Sequence, residues 1–125
     1  MPVPFPFVID LLLPLQPLTR PMFGCHAVYV REKIVLILRN RNDHRDANGV
    51  WIATSKEHHG SLKKEMPSLQ PVYILSEGKG ESSWRMIHID ADDFEASVTH
   101  ACELILKNDP RIGKIPKTRK KKSRG

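Results

Sequence analysis

Cysteine is scarce in this chain of 125 residues, in which Cys25 and Cys102 are the only two. They lie 77 positions apart, which is not the close spacing that metal ligands show. Small secreted domains that depend on disulfide bonds normally carry more cysteines than this. The scarcity therefore argues against a disulfide framework and indicates reduced thiols, so we expect a cytoplasmic protein.

The chain also lacks an apolar run that is long enough to cross a bilayer. Residues 1–18 are apolar, but they contain Asp10 and five prolines. The longest stretch without proline in this segment is 7–13, whereas a membrane helix needs roughly 20 residues. Because no basic region precedes the apolar residues, we expect neither a signal peptide nor a membrane contact.

Acidic residues are absent from the last segment, KIPKTRKKKSRG (114–125), which holds seven basic residues. The whole chain carries a formal charge of +6, so the remaining 13 basic and 14 acidic residues sum to −1. Such a run predicts a solvated tail, and it can also attract a polyanion without regard to sequence. The candidate nucleic-acid-binding residues are Lys114, Lys117, Arg119, Lys120, Lys121, Lys122 and Arg124.

What the sequence does contain is a set of short strand patterns. Segments 26–31 and 34–39 are rich in β-branched residues and flank Glu32-Lys33, which predicts a hairpin. Because those two residues lack the glycine or asparagine of a tight turn, we expect a longer loop or a bulge. Further strands are predicted over 50–54, 72–76 and 84–89, with a turn over 78–83.

Helix signals surround these strands. Six prolines among the first 21 residues limit any helix there to about two turns. Segment 55–66 predicts a short helix that ends before Pro67. The clearest helix follows Asp92, which forms an acidic capping pair with Glu95. Its apolar residues recur at helical spacing, namely Phe94, Val98, Cys102 and Ile105.

The element order favours a small α+β domain, and the chain is long enough for one hydrophobic core. Strands and helices do not alternate one for one, which favours a two-layer fold with an antiparallel five-stranded sheet and helices on one face. We expect a proline-rich arm or short helix over 1–21, the α+β domain over 22–112 and a basic tail over 113–125.

The predicted strand Ile34–Leu38 is apolar at every position. Successive side chains of a strand point to opposite faces, so Val35 and Ile37 would lie on the face without helices. Large exposed apolar patches are rare on monomers. Either the proline-rich arm covers this face, or two molecules pack sheet against sheet as a homodimer.

Residues 20–26, RPMFGCH, place a cysteine beside a histidine. Cysteine catalysis needs a histidine within hydrogen-bond reach of the sulfur. Cys25 and His26 are neighbours at the start of a strand, so their side chains diverge, and a buried structural thiol is expected instead. We expect Met22 and Phe23 to anchor the core, and Gly24 to permit a tight turn or a close backbone approach.

The string LQPLTRPMFGCHAVYVREKIVLIL resembles the opening of the TfoX amino-terminal domain, in which a leader, an arginine, Met-Phe-Gly and a hairpin follow in that order. GVWIAT resembles the next strand of that family, and SSWRMIHIDADDFEASVTHACELILKNDPR resembles the end of the related MmcQ/YjbR proteins. The resemblance covers roughly residues 15–112 and implies the order α-β-β-β-α-β-β-α. It departs from the family at the proline-broken first helix and at the Glu32-Lys33 turn.

This resemblance implies a role in regulation. TfoX-like proteins are linked to competence for DNA uptake, and YjbR-like proteins are often described as DNA-binding. Neither family offers an agreed catalytic residue. Fold analogy alone is a weak warrant for function.

Other constellations have structural explanations. His58 and His59 are adjacent, and a metal site wants ligands one helical turn apart or a close cysteine pair. The carboxylates at 90–95 suit the start of a helix, where free amides stabilise negative charge. The strand aromatics, which could stack nucleobases, are expected to pack in the core; they are Trp51, Tyr73 and Trp84.

Three functions are compatible with these features. We expect a non-enzymatic regulatory or adaptor domain that acts through protein contacts, with no catalytic residue, cofactor or metal. The alternative is a nucleic-acid-binding protein that uses the basic tail. The third is a cysteine-dependent enzyme that uses Cys25.

Overall fold

The computed structural model describes residues 3–72 and 83–115. Within these residues, six strands form one antiparallel sheet in the order β1-β2-β3-β4-β6-β5. The strands are β1 Leu18–Met22, β2 Cys25–Val30, β3 Lys33–Arg39, β4 Gly49–Ile52, β5 Gln70–Pro71 and β6 Arg85–His88. The predicted α+β class and antiparallel sheet are confirmed. The remainder of the predicted strand over 72–76, beyond Val72, lies outside the described residues.

The prediction of five strands was wrong because part of the presumed arm is a strand. Leu18–Met22 pairs with β2 along its whole length and becomes the first edge of the sheet. This segment shows little apolar alternation, because three of its five residues are a threonine, an arginine and a proline. The sequence therefore predicted an arm here rather than a strand. The boundary placed at residue 21 therefore cuts through a hairpin.

Three α-helices pack on one face of the sheet, which is the inner face. They are α1 Pro6–Leu12, α2 His59–Glu65 and α3 Phe94–Leu106. The first helix is two turns long, as the prolines predict, and α2 ends before Pro67. The residue at the start of α3 is Asp93 rather than Asp92, so the predicted capping pair was wrong. None of the helices in the described ranges has the length and apolar character of a membrane span.

The inner core joins the sheet to α1 and α3. Leu36, Leu38 and Ile87 are buried in the same cluster as Val8 of α1 and Val98 of α3. The ring of Phe94 lies 5.2 Å from that of Phe5 and 6.4 Å from that of Phe7, between ring centroids. The first part of the amino-terminal arm, including α1, thus packs on the helical side of the molecule. Of the two alternatives for covering the outer face, the one in which α1 folds over it does not apply.

A β-bulge changes which side chains reach each face. Val28 pairs with Leu36 but Tyr29 pairs with Ile34, so Val35 is the extra residue in β3. Both Val35 and Leu36 consequently join the inner core. The outer face receives Ile34 and Ile37 instead, which corrects the expectation for Val35 and confirms it for Ile37.

The outer face carries a second buried cluster. Trp51 at its centre is only 6% exposed, and its indole Nε1 donates a hydrogen bond to the Ala47 carbonyl at 2.9 Å. Ile37 and Met86 are buried beside it. These areas refer to a single chain, so this apolar face is already covered without a second molecule.

The β2–β3 hairpin is tighter than expected. Val30 pairs with Lys33, which leaves a two-residue turn of Arg31 and Glu32, both with positive φ (52° and 66°). Of the two expected features, a longer loop or a bulge, the bulge is present, with its extra residue Val35 in β3 after the turn, and the turn itself is not lengthened. Two residues without glycine's freedom therefore occupy left-handed backbone.

Candidate protein-binding surface

The β1–β2 hairpin ends in a turn that projects a phenylalanine into solvent. Met22 pairs with Cys25, and the two-residue turn between them consists of Phe23 and Gly24, with φ of 49° and 78°. Phe23 is 93% exposed. The prediction that it anchors the core was wrong, whereas Met22 does pack against the outer cluster. We call Phe23-Gly24 the hairpin tip.

Phe23 is an unfavourable residue for the backbone conformation of the hairpin tip. Turns of this length with positive φ at both positions favour Asn-Gly, because asparagine tolerates left-handed backbone. A bulky residue there costs roughly 1–2 kcal/mol. The ring gains nothing in return from burial, since it faces solvent. Strained backbone conformations of this kind cluster at functional sites.

The loop over 40–48 braces the tip from behind. The Arg41 guanidinium fills the place where a Gly24 side chain would lie, because a Cβ there would sit 1.5 Å from its Nη1. Arg41 Nε donates to Asp43 Oδ1 at 2.7 Å, and this hydrogen bond lowers the pKa of the Asp43 carboxyl. Asn48 closes the loop, since it accepts from the Arg41 backbone N–H at 2.9 Å and donates to its carbonyl at 2.8 Å.

Arg39 supports the same loop from inside. Its guanidinium is buried and donates through Nη1 to Asn48 Oδ1 at 2.7 Å and to the His44 carbonyl at 2.9 Å. Through Nη2 it donates to the Asp43 carbonyl at 3.0 Å. A buried cation is tolerated when its donors are satisfied in this way. The hairpin tip therefore stands on a loop whose backbone is held by buried polar contacts.

A row of side chains leads from the tip along the outer side of β1. Leu18 and Arg20 lie opposite Tyr29 and Ala27 in the register, so they share the outer face with Met22. Leu18 is 53% exposed, and the Arg20 guanidinium carbon lies 5.6 Å from the centroid of the Tyr29 ring. The exposed surface at this corner thus combines two apolar side chains with one cation.

The edge of β1 is closed to strand addition. Residue pairs of an antiparallel hairpin alternate in whether they exchange hydrogen bonds. Pro21 is one step from the closing pair of Met22 and Cys25, so its nitrogen faces the free edge, where it has no hydrogen to donate. Proline at this position blunts pairing with another chain. A partner would therefore engage side chains at this corner rather than extend the sheet.

The thiols are buried, as predicted. The Cys25 Sγ lies 3.7 Å from the Phe23 carbonyl, and burial raises the pKa of this thiol despite the opposing effect of Arg39 and Arg41. Burial also raises the pKa of Cys102 to about 12. Low thiolate content and restricted access both oppose nucleophilic use.

One charged cluster joins α2 and α3 to the segment that follows α3. Arg111 donates to Asp109 Oδ2 and to Glu65 Oε2, each at 2.8 Å. His100 Nε2 lies 2.8 Å from Glu65 Oε1. The Arg111 hydrogen bond lowers the pKa of Asp109 to about 2 and also lowers that of Glu65. This geometry fastens three segments, and across 3–72 and 83–115 no group of side chains is arranged to hold a metal ion.

Of the residues predicted to bind nucleic acid, only Lys114 lies within the described ranges. Its backbone pairs with Ile34, and its ammonium lies 5.6 Å from the centroid of the Trp84 ring and contacts Ser83 Oγ. Lys114 is therefore part of the folded domain rather than of a tail. Trp84 packs against Trp51 with 6.4 Å between ring centroids, as predicted for core aromatics. The predicted nucleic-acid-binding residues outside the described ranges are Lys117, Arg119, Lys120, Lys121, Lys122 and Arg124, and Tyr73, predicted to pack in the core, also lies outside them.

Comparison with protein-family models, with curated proteins and with solved structures finds no match to this chain. The resemblance to the TfoX and MmcQ/YjbR families accordingly stays a prediction from the residues. Sequence reasoning missed the exposure of Phe23 because an apolar residue beside a predicted strand reads as core. The overlooked signal was the pair Phe-Gly between a proline-containing segment and a strand, which is the position of a hairpin turn.

Proposed function

We propose that this protein is a non-enzymatic regulatory or adaptor domain that binds a partner protein through the hairpin tip. One observation carries the proposal: Phe23 is 93% exposed on a strained, tightly braced turn. Aromatic residues dominate the energy of protein interfaces when they enter a pocket on the partner. A turn whose backbone is already fixed before binding also loses less conformational freedom on association.

The family resemblance is compatible with this proposal. The Met-Phe-Gly motif that carries it occupies residues 22–24, the same residues that form the closing strand position and the hairpin tip. Regulation is also the role to which TfoX-like proteins are linked. The buried thiols add no catalytic group to this corner.

Site-specific photo-crosslinking tests the proposal. The full chain is produced in its host cells with a benzoylphenylalanine side chain at position 23. The matched control carries it at position 13, because Leu13 is also exposed (56%) but belongs to the segment next to α1. We expect a defined protein adduct from position 23 alone. Identical adducts from both positions, or none from position 23, would contradict the proposal.

The basic tail supports a second candidate function, nonspecific binding of nucleic acid. The favouring observation is the separation of charge, since 114–125 carries seven basic residues and the rest of the chain sums to −1. The test compares the full chain with a form that ends at residue 115 and so lacks six of these cations. Binding to duplex DNA should fall steeply with salt for the full chain, and the slope should be much smaller for the shortened form.

A further inference from the structure

We infer that the partner presents an apolar pocket for the Phe23 ring with a carboxylate at its rim that pairs with Arg20. This inference rests on the proposed function and adds the chemistry of the partner. It starts from the exposed corner formed by Leu18, Arg20, Met22 and Phe23, which we call the β1 ridge.

The β1 ridge supplies one long contact. Its outer side chains lie in a row on one strand, and the four residue steps of about 3.3 Å from Leu18 to Met22 span roughly 13 Å. Phe23 is the next residue beyond the strand end. An exposed aromatic ring near other exposed side chains fits a pocket on a partner, and such anchors contribute much of the binding energy of interfaces.

The charge at this corner is positive. The hairpin segment 18–25 and the supporting loop 39–48 hold four arginines and two aspartates, a formal charge of +2. Arg39 is buried, and Arg41 is paired with Asp43. Arg20 rests on the face of the Tyr29 ring, and among the described residues no carboxylate lies within ion-pair distance of it. Its guanidinium is thus the cation of the ridge that can meet an acidic group on a partner.

A partner protein fits this corner better than a nucleic acid does. The tip adjoins the end of β3 near Arg39, whereas Lys114 pairs at the other end of that strand with Ile34. A single ring also offers no platform for successive bases.

The decisive variants keep the fold intact. Phe23→Asn removes the ring and installs the residue that this turn favours. Arg20→Glu reverses the charge at an exposed position, and Arg20→Lys retains it. The matched controls are Leu13→Gln for the ring and Arg31→Glu for the charge, because both positions are exposed and lie away from the tip.

The test titrates the protein recovered from the position-23 adduct against each full-length variant by calorimetry. We expect Phe23→Asn to weaken binding about 30-fold. Arg20→Glu should weaken it about 10-fold in low salt, with a smaller loss in high salt. Reversing the partner carboxylate to lysine should restore the affinity of Arg20→Glu. The two controls should bind like the unaltered protein.

The outcomes separate the inference from the proposed function. If Phe23→Asn loses affinity while Arg20→Glu binds as well as the unaltered protein or more tightly, the acidic rim is refuted and the docking site stands. If Phe23→Asn binds normally, or if no adduct forms, both are refuted. If a single-stranded oligonucleotide binds the full chain and loses its affinity with Phe23→Asn, the site recognises nucleic acid and both are likewise refuted.

Discussion

At the scale of single residues, Phe23 is the position where stability and exposure conflict. The residue occupies left-handed backbone with φ of 49° and leaves its ring in water. Its neighbour Gly24 has φ of 78°, and the Arg41 guanidinium occupies the space that a side chain would need. The turn therefore tolerates asparagine at 23 more readily than phenylalanine, and a side chain at 24 would have a strained positive φ and would require Arg41 to move.

We predict that Phe23→Asn raises the free energy of unfolding by about 1 kcal/mol, because it removes backbone strain without removing a buried contact. Urea denaturation followed by circular dichroism measures the change. Gly24→Ala should have the opposite effect and lower the free energy of unfolding by about 1–2 kcal/mol. A Phe23→Asn variant less stable than the unaltered protein would show that the ring supports the fold.

The Asp109–Arg111 pair leads to a prediction about pH. The pKa of Asp109 is about 2, below its ordinary value of 3.8, because Arg111 hydrogen-bonds to the carboxylate. A lowered carboxyl pKa stabilises the fold above the ordinary value, and the stabilisation is lost as the pH falls through the folded value. We expect Arg111→Ala to lower the free energy of unfolding by about 1 kcal/mol at pH 7, since solvent screens partly exposed pairs.

The deficit of the same variant should shrink as the pH falls towards 2, where the Asp109 carboxyl, with a pKa of about 2, is half protonated. Urea denaturation at pH 7, 4 and 2 follows this decrease. Lys64→Ala, at an exposed position of α2, is the control for removing one cation. A deficit that stays constant down to pH 2 would mean that Arg111 acts through packing alone.

At the scale of elements, the β1–β2 and β2–β3 hairpins have turns of the same type. Both have two-residue turns with positive φ at each position, Phe23-Gly24 in one and Arg31-Glu32 in the other. Only the first has glycine. The second turn therefore has strained backbone at two positions. The neighbouring bulge increases the right-handed twist of the two strands, and turns of this type match strongly twisted strands.

We predict that the double substitution Arg31→Asn with Glu32→Gly stabilises the protein by about 1 kcal/mol, because Asn-Gly suits this turn. Thermal unfolding measures the effect as a higher midpoint. The pair Lys56→Asn with Glu57→Gly, in an exposed 3₁₀ turn without positive φ, is the control and should not stabilise. A lower midpoint for the Asn-Gly variant would show that Arg31 or Glu32 makes a contact worth more than the strain.

The elements also mark how far the sequence predicts this fold. Short runs of β-branched and other apolar residues located β2, β3, β4 and β6 within two residues. The sequence pattern failed for β1, whose residues are mostly polar or proline, and for Val35, which a bulge turns to the other face. Local patterns contain no information about which partner strand completes an edge or where a register shifts.

At the scale of the whole molecule, burial is divided between two faces of one sheet. The inner cluster packs under three helices, and the outer cluster around Trp51 is covered within the single chain. Both edge strands contain proline, Pro21 in β1 and Pro71 in β5. Within the part of the chain that the structure describes, both faces of the sheet are covered and both edge strands carry a proline, and the β1 ridge is the contact surface that we propose. The sequence indicated a turn at Gly24 but not the exposure of Phe23, because exposure depends on the assembled fold.

The most direct test of the account compares the stability and the binding of one variant, Phe23→Asn, in the full chain. Calorimetric titration with the protein crosslinked at position 23 gives the affinity, and Leu13→Gln provides the reference for loss of an exposed apolar side chain. The account predicts a variant that is more stable than the unaltered protein and binds about 30-fold more weakly. A variant whose free energy of unfolding is not raised and whose affinity is unchanged would contradict the account.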